Sequence, residues 1–87
     1  PFSVSVRGLV SCVQEEIVSQ SGNPMRNFRL QDEAGRYVQC VVCGRHVDND
    51  FLEERNEVIL YFARALNGLN QRAGQLWMYD DSHIELH

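Results

Sequence analysis

Cys40-Val41-Val42-Cys43, followed by His46 and preceded far upstream by Cys12, has the C-x2-C spacing of a zinc ligand pair. The surrounding sequence is strand-like, however, and residues three apart on a strand point to opposite faces. No second C-x2-C completes a ligand set. The spacing therefore predicts a core thiol at Cys40 and a partly exposed one at Cys43, with no metal. His46 near Asp48, and His83 near Asp81 and Glu85, are neighbours in the chain. They lack the nucleophile order, phosphate loop or paired ligands that catalysis needs. No catalytic residue and no cofactor are implied, and the sequence reads as a binding module rather than an enzyme.

The basic and aromatic residues point to different chemistry. All eight basic residues are Arg, whose planar guanidinium forks onto phosphate and stacks on bases as a Lys ammonium does not. An Arg-rich codon bias gives the same count. The formal charge of -4 weighs against wrapping duplex DNA, which relies on many cations releasing counterions. The charge is nonetheless segregated: residues 25–47 and 58–79 each carry +2, while 48–57 carry -4 and 80–87 carry -3. If the fold joins the two positive segments, an acidic protein gains a basic face. Trp77 and Tyr79 alternate with Leu76 and Met78. With the aliphatic pair inward, the aromatics face out beside Arg72, where stacking is worth ~1–3 kcal/mol per base. Alternatively, they cover one end of the core or dock a partner chain, or the phase is inverted and they are themselves core.

Elements that position such residues can be read from periodicity. The 87 residues, 44% of them hydrophobic and 23% charged, suffice for one modest core. No apolar run approaches the ~20 residues of a membrane span, and no secretory signal opens the chain. Three Cys, an odd number, fit a reducing, intracellular compartment. The chain opens on Pro1 rather than Met, so residues 1–87 are expected to be one domain excised from a longer protein. Phe2, Val4 and Val6 begin a first strand bent at Gly8. A turn-rich Ser19–Pro24 loop leads to a second strand at Arg26–Gln31, which forms a hairpin through Asp32–Gly35 with a third at Arg36–Gly44. Asp48–Asn56 is expected to hold a short helix capped by Asp48 or Asn49, with Phe51 and Leu52 turned inward and Glu53 near its positive end. Glu57–Leu66 is the central fourth strand, Asn67–Gly74 an open loop, and Gln75–Tyr79 the start of a fifth strand interrupted at Asp80–Ser82. Five strands with a helix between the third and fourth predict an all-β, five-stranded oligonucleotide-binding (OB) Greek-key barrel. A small open sandwich is the competing architecture.

With Phe28, Leu30, Val38, Cys40 and Val42 inward, the outward set on the second and third strands is Asn27, Arg29, Tyr37, Gln39 and Val41. In an OB barrel those outer faces, with the loops after the first and fourth strands, are the usual ligand surface. The two positive segments coincide with them.

Over nearly its whole length the chain resembles the single-stranded-DNA-binding barrels of replication protein A. The matching residues are Val6-Arg7-Gly8-Leu9-Val10, Phe28-Arg29-Leu30-Gln31-Asp32 with Gly35, and Val38 to Gly44. Further matches are Leu52, Asn56-Glu57-Val58, Ala63-Arg64-Ala65, Gln75-Leu76-Trp77 and Ser82-His83-Ile84. Where Gly is usual before the fourth strand, Asn56 stands, a residue tolerant of positive φ. The resemblance implies a single-stranded nucleic-acid-binding module, DNA favoured over RNA, within a nuclear replication or repair protein. Asn27, Arg29, Arg36, Tyr37, Gln39, Arg64, Asn67, Asn70, Arg72 and Trp77 are the expected contacts, with neighbouring domains or protein partners assisting and no membrane involved. Related barrels also serve as protein-docking modules, and that reading stays open.

Overall fold

Alternating apolar and polar residues fold into strands because each face then meets the environment it prefers. The computed structural model describes residues 3–66 and 74–87. Its strands are β1 (Ser3–Ser11), β2 (Ile17–Val18), β3 (Pro24–Gln31), β4 (Tyr37–Cys43), β5 (Glu57–Leu66), β6 (Gln75–Met78) and β7 (His83–Leu86). Hydrogen-bonded neighbours run β1-β3-β4-β6-β5, and β5 pairs back onto β1 to close a five-stranded barrel. Every pairing is antiparallel except β4 with β6. The interrupted fifth strand is seen as β6 and β7, and β7 lies along β5 on the edge away from β1. The two-residue β2, absent from the sequence reading, folds back on the start of β3.

The inward set is as the alternation requires. Phe28, Leu30, Cys40, Val42, Val58, Leu60, Leu76 and Met78 are buried in one cluster with Val10, Leu52, Ala63 and Ile84, and Val38 packs against it. Burying a side chain such as Phe28 contributes ~1.5–3 kcal/mol. Gly8 lies where β1 passes from one partner to the other: Leu9 is in register with both Glu57 of β5 and Gln31 of β3. A Cβ at Gly8 would stand 2.7 Å from Leu30 Cγ and 2.8 Å from the Gln31 carbonyl oxygen, so the crossing strands need glycine there.

The β3–β4 hairpin is held by Asp32. Its Oδ1 accepts the N–H groups of Ala34 and Arg36, each at 2.9 Å, and Gly35 takes the positive φ of 84° that the turn requires. Desolvation tends to raise the Asp32 pKa, but the Arg36 and Ala34 N–H groups and the Arg36 guanidinium outweigh it and hold the carboxyl below its ordinary value.

Between β4 and β5 the structure replaces the expected helix with a single 3-10 turn at Gly44–His46 and further turns. Asn49 does not cap a helix; its Oδ1 accepts the Phe51 N–H two residues on, at 2.9 Å, a local bond that competes with helix formation. Leu52 enters the core as expected, whereas Phe51 turns outward at 37% exposure. Glu54, in turn, accepts the Cys12 and Val13 N–H groups and ties this segment to the end of β1. The positive φ before β5 falls on Arg55 (72°) rather than Asn56.

In β5, Val4 pairs with Ala63 but Val6 with Leu60, so β5 carries one extra residue in a bulge. Phe62 stands there with φ 58° and 58% exposure. The fully buried Ser82 hydroxyl secures the bulge by donating to the Phe62 carbonyl at 3.0 Å.

Candidate functional site

The outer face of β3, β4 and β6 is set by strand register. One row across it is Arg29, Gln39 and Gln75; the next is Asn27, Val41 and Trp77, continued onto β5 by Arg64. At ~4.8 Å per strand step the second row spans ~14 Å. Arg29 lies with its guanidinium carbon 4.2 Å from the Tyr37 ring centroid, and Tyr37 is 55% exposed. Gln39 is half-buried, and its amide donates to the Phe28 carbonyl at 3.3 Å. Asn27 and Trp77 are also half-buried. Arg29, Tyr37, Gln39, Asn27, Trp77 and Arg64 therefore share one surface.

Other expected members stand elsewhere. Arg36 is at the hairpin tip, paired with Asp32 at 3.0 Å. Val41 belongs to the outer face by alternation but is buried at 2% exposure, because it lies in register between Asn27 and the Trp77 indole. Asn67, Asn70 and Arg72 lie outside the described residues. The positive segment 25–47 is also partly spent inside the fold. The Arg45 guanidinium donates to the carbonyls of Asp80 and Ser82, each at 2.9 Å, and the Arg26 Nε is buried.

Beyond Trp77 the face continues into a cleft of about 630 Å³ between the Ser19–Asn23 turn and the β6–β7 turn. Trp77 and Tyr79 line it as near-parallel rings, 21° apart with centroids 6.1 Å apart. The Arg64 guanidinium carbon lies 4.6 Å from the Tyr79 centroid, and its Nη2 is 2.8 Å from Asp81 Oδ2. Ser21, Asn23, Met25 and Asp81 also line this cleft, and none was legible as a site residue. Ser-Gln-Ser-Gly-Asn signals a turn, and nothing local says that the turn closes against Trp77.

Of the cysteines, Cys40 is buried, Cys43 half-buried and Cys12 exposed. Among the described residues no three His, Cys, Asp or Glu side chains are grouped to hold a metal ion. Among the same residues no helix is long and apolar enough to cross a membrane.

Among solved structures, the chain is similar to the OB domain of the Thermoplasma acidophilum protein Ta0387, determined in solution by NMR. The TM-score is 0.74 at 20% identity, over 98% of this chain and 74% of that one. The fold is an OB barrel. At that identity the likeness is one of architecture. No protein-family model matches the sequence, and no curated protein matches it.

Proposed function

We propose that this OB barrel binds single-stranded nucleic acid, DNA in preference to RNA, and is a binding module of the replication protein A kind rather than an enzyme. The observation that carries the reading is that two Arg–Tyr pairs, Arg29 with Tyr37 and Arg64 with Tyr79, occupy one continuous outer face with Trp77 between them. Aromatic rings accept bases of any sequence by stacking, and guanidinium groups follow the phosphates. Tyr37 and Trp77 stack bases in this reading; Arg29, Arg36, Arg64 and Arg72 take phosphates; Asn27, Gln39, Asn67 and Asn70 hydrogen-bond alongside. Partner domains add affinity that a single acidic barrel lacks.

The test is a fluorescence-anisotropy titration of labelled DNA and RNA single strands of ~20 nucleotides, longer than the ~4–16 one barrel covers. Saturable binding that weakens with salt and is lost in Arg29→Glu is the expected result. Four phosphate contacts predict a log–log salt slope of roughly -3. A protein-docking role is favoured instead if neither strand binds, and the outward Phe51 between the exposed Asp48, Asp50 and Glu53 then becomes the surface to probe.

A further inference from the structure

The cleft beyond Trp77 combines three features of a nucleotide site. Its volume of about 630 Å³ falls in the ~300–1,000 Å³ range of small-molecule sites. Its wall is the Trp77–Tyr79 ring pair, and Met25 adds a thioether, a group that favours aromatic ligands. On the opposite lip Asn23 donates to the Ser21 hydroxyl at 3.2 Å. An amide and a hydroxyl there offer donors and acceptors to a base edge.

The charge in the cleft is arranged unevenly. The Asp80 side chain is built into the fold: its Oδ1 accepts the Arg45 N–H at 3.3 Å. Asp81, with 64% of its side chain exposed, makes one side-chain bond among the described residues, to Arg64. Arg64 is thus fixed over Tyr79 while one of its donors faces a carboxylate that can swing into solvent. A carboxylate and a phosphate present the same pair of acceptor oxygens to a guanidinium fork.

We propose that this cleft is a single-nucleotide pocket in which Asp81 occupies, on Arg64, the place of the incoming nucleotide's phosphate. The inference rests on the nucleic-acid reading and deepens it by naming where one base is seated and which residue competes with the strand. On binding, the base stacks against Trp77, the phosphate replaces Asp81 on Arg64, and the displaced carboxylate turns to solvent. The charge of Asp81 thereby restrains affinity: only a strand whose contacts elsewhere offset the lost ion pair enters the cleft.

Trp77 is the single tryptophan of the chain, so all tryptophan emission comes from the indole that walls this cleft and borders the outer face. The experiment measures, on the 87-residue chain, anisotropy of a labelled 20-nucleotide thymidine DNA strand and Trp77 emission with the same strand unlabelled. It uses wild type, Asp81→Asn, Arg64→Gln, the Asp81→Asn/Arg64→Gln double variant and Arg29→Glu, with thermal midpoints recorded for each. The pocket predicts quenching of Trp77 in step with the anisotropy, and about two- to five-fold tighter binding by Asp81→Asn, the equivalent of one released exposed ion pair. That gain vanishes when Arg64 is already Gln. Binding that is lost in Arg29→Glu but leaves Trp77 emission unchanged overturns the pocket and leaves nucleic-acid binding standing on the Arg29–Tyr37 part of the face, without Trp77. An equal gain from Asp81→Asn with and without Arg64 overturns the role of Asp81, since charge alone then explains it. No anisotropy change with any variant overturns the nucleic-acid reading itself.

Discussion

Replacing Ser82 with Ala tests how the barrel holds its functional edge. The Ser82 hydroxyl is fully buried, accepts the Tyr79 N–H at 3.0 Å and donates to the Phe62 carbonyl at 3.0 Å. One oxygen thus fixes the bulge of β5, the end of β6 and the turn that carries Asp81. Alanine removes both bonds and adds no replacement. Two hydrogen bonds at ~1 kcal/mol net each give ~2 kcal/mol, and an N–H left unsatisfied in a buried position adds to that. The expected loss is therefore about 2–3 kcal/mol. For a domain of this length ~1 kcal/mol shifts the thermal midpoint by ~4–8 °C, so the midpoint should fall by roughly 10–20 °C. Urea titration with an unchanged m-value assigns the loss to the native state. Near-ultraviolet circular dichroism should also weaken, because Trp77 and Tyr79 lose their fixed relation. A loss below about 0.5 kcal/mol refutes the reasoning, since it means that neither bond stabilises the fold or that water replaces the hydroxyl without cost.

Burial pushes the Cys40 thiol up to about 12, against the opposing Leu30 backbone bond, and also raises Cys43, with Asp80 adding to the effect. A thiol reagent at pH 8 should accordingly label the exposed Cys12 first, Cys43 slowly and Cys40 only on unfolding. His46 is buried, and desolvation followed by the Arg45 charge lowers its pKa below 6.5, against the Ser82 and Tyr79 backbone and Asp80. The unfolded chain then binds more protons just below pH 6.5, so stability is complete above that value and falls as pH drops toward the lowered native pKa. His46→Gln should flatten that slope in pH-dependent urea unfolding, and an unchanged slope counts against it. Arg55→Gly, at an exposed φ of 72°, should stabilise by about 0.5–1 kcal/mol on chemical denaturation. Gly8→Ala should destabilise by about 1–3 kcal/mol, because its methyl meets the Leu30 side chain and the Gln31 backbone.

Strand periodicity was legible because it is local. Alternation along Arg26–Gln31 and Arg36–Gly44 placed Phe28, Leu30, Cys40 and Val42 inward and Asn27, Arg29, Tyr37 and Gln39 outward, as the structure has them, with Val41 the outward position that is buried. The bend at Gly8 and the β3–β4 hairpin were readable on the same basis, whereas the alternation at Gln75–Tyr79 allowed two phases, and the burial of Leu76 and Met78 selects the one with Trp77 and Tyr79 outward. Segment 48–56 misled because Asp and Asn at a helix start also form side-chain turns, and Asn49 does so here. Phe51 misled in turn, since without a helix the chain turns it outward.

The amino-acid sequence by itself determined which residues alternate, which turns are tight, and hence a barrel of five strands. Only the tertiary structure decided which arginines are free to meet a ligand. Arg45 is consumed by the carbonyls of Asp80 and Ser82, and Arg64 is placed between Tyr79 and Asp81. Val41 is hidden between Asn27 and Trp77, and a turn at Ser19–Asn23 meets a strand more than fifty residues away to form a cleft. Alternation fixes the face of a strand on which a side chain stands. Its partner across that face is set by the register between strands distant in sequence, and no local pattern encodes that register.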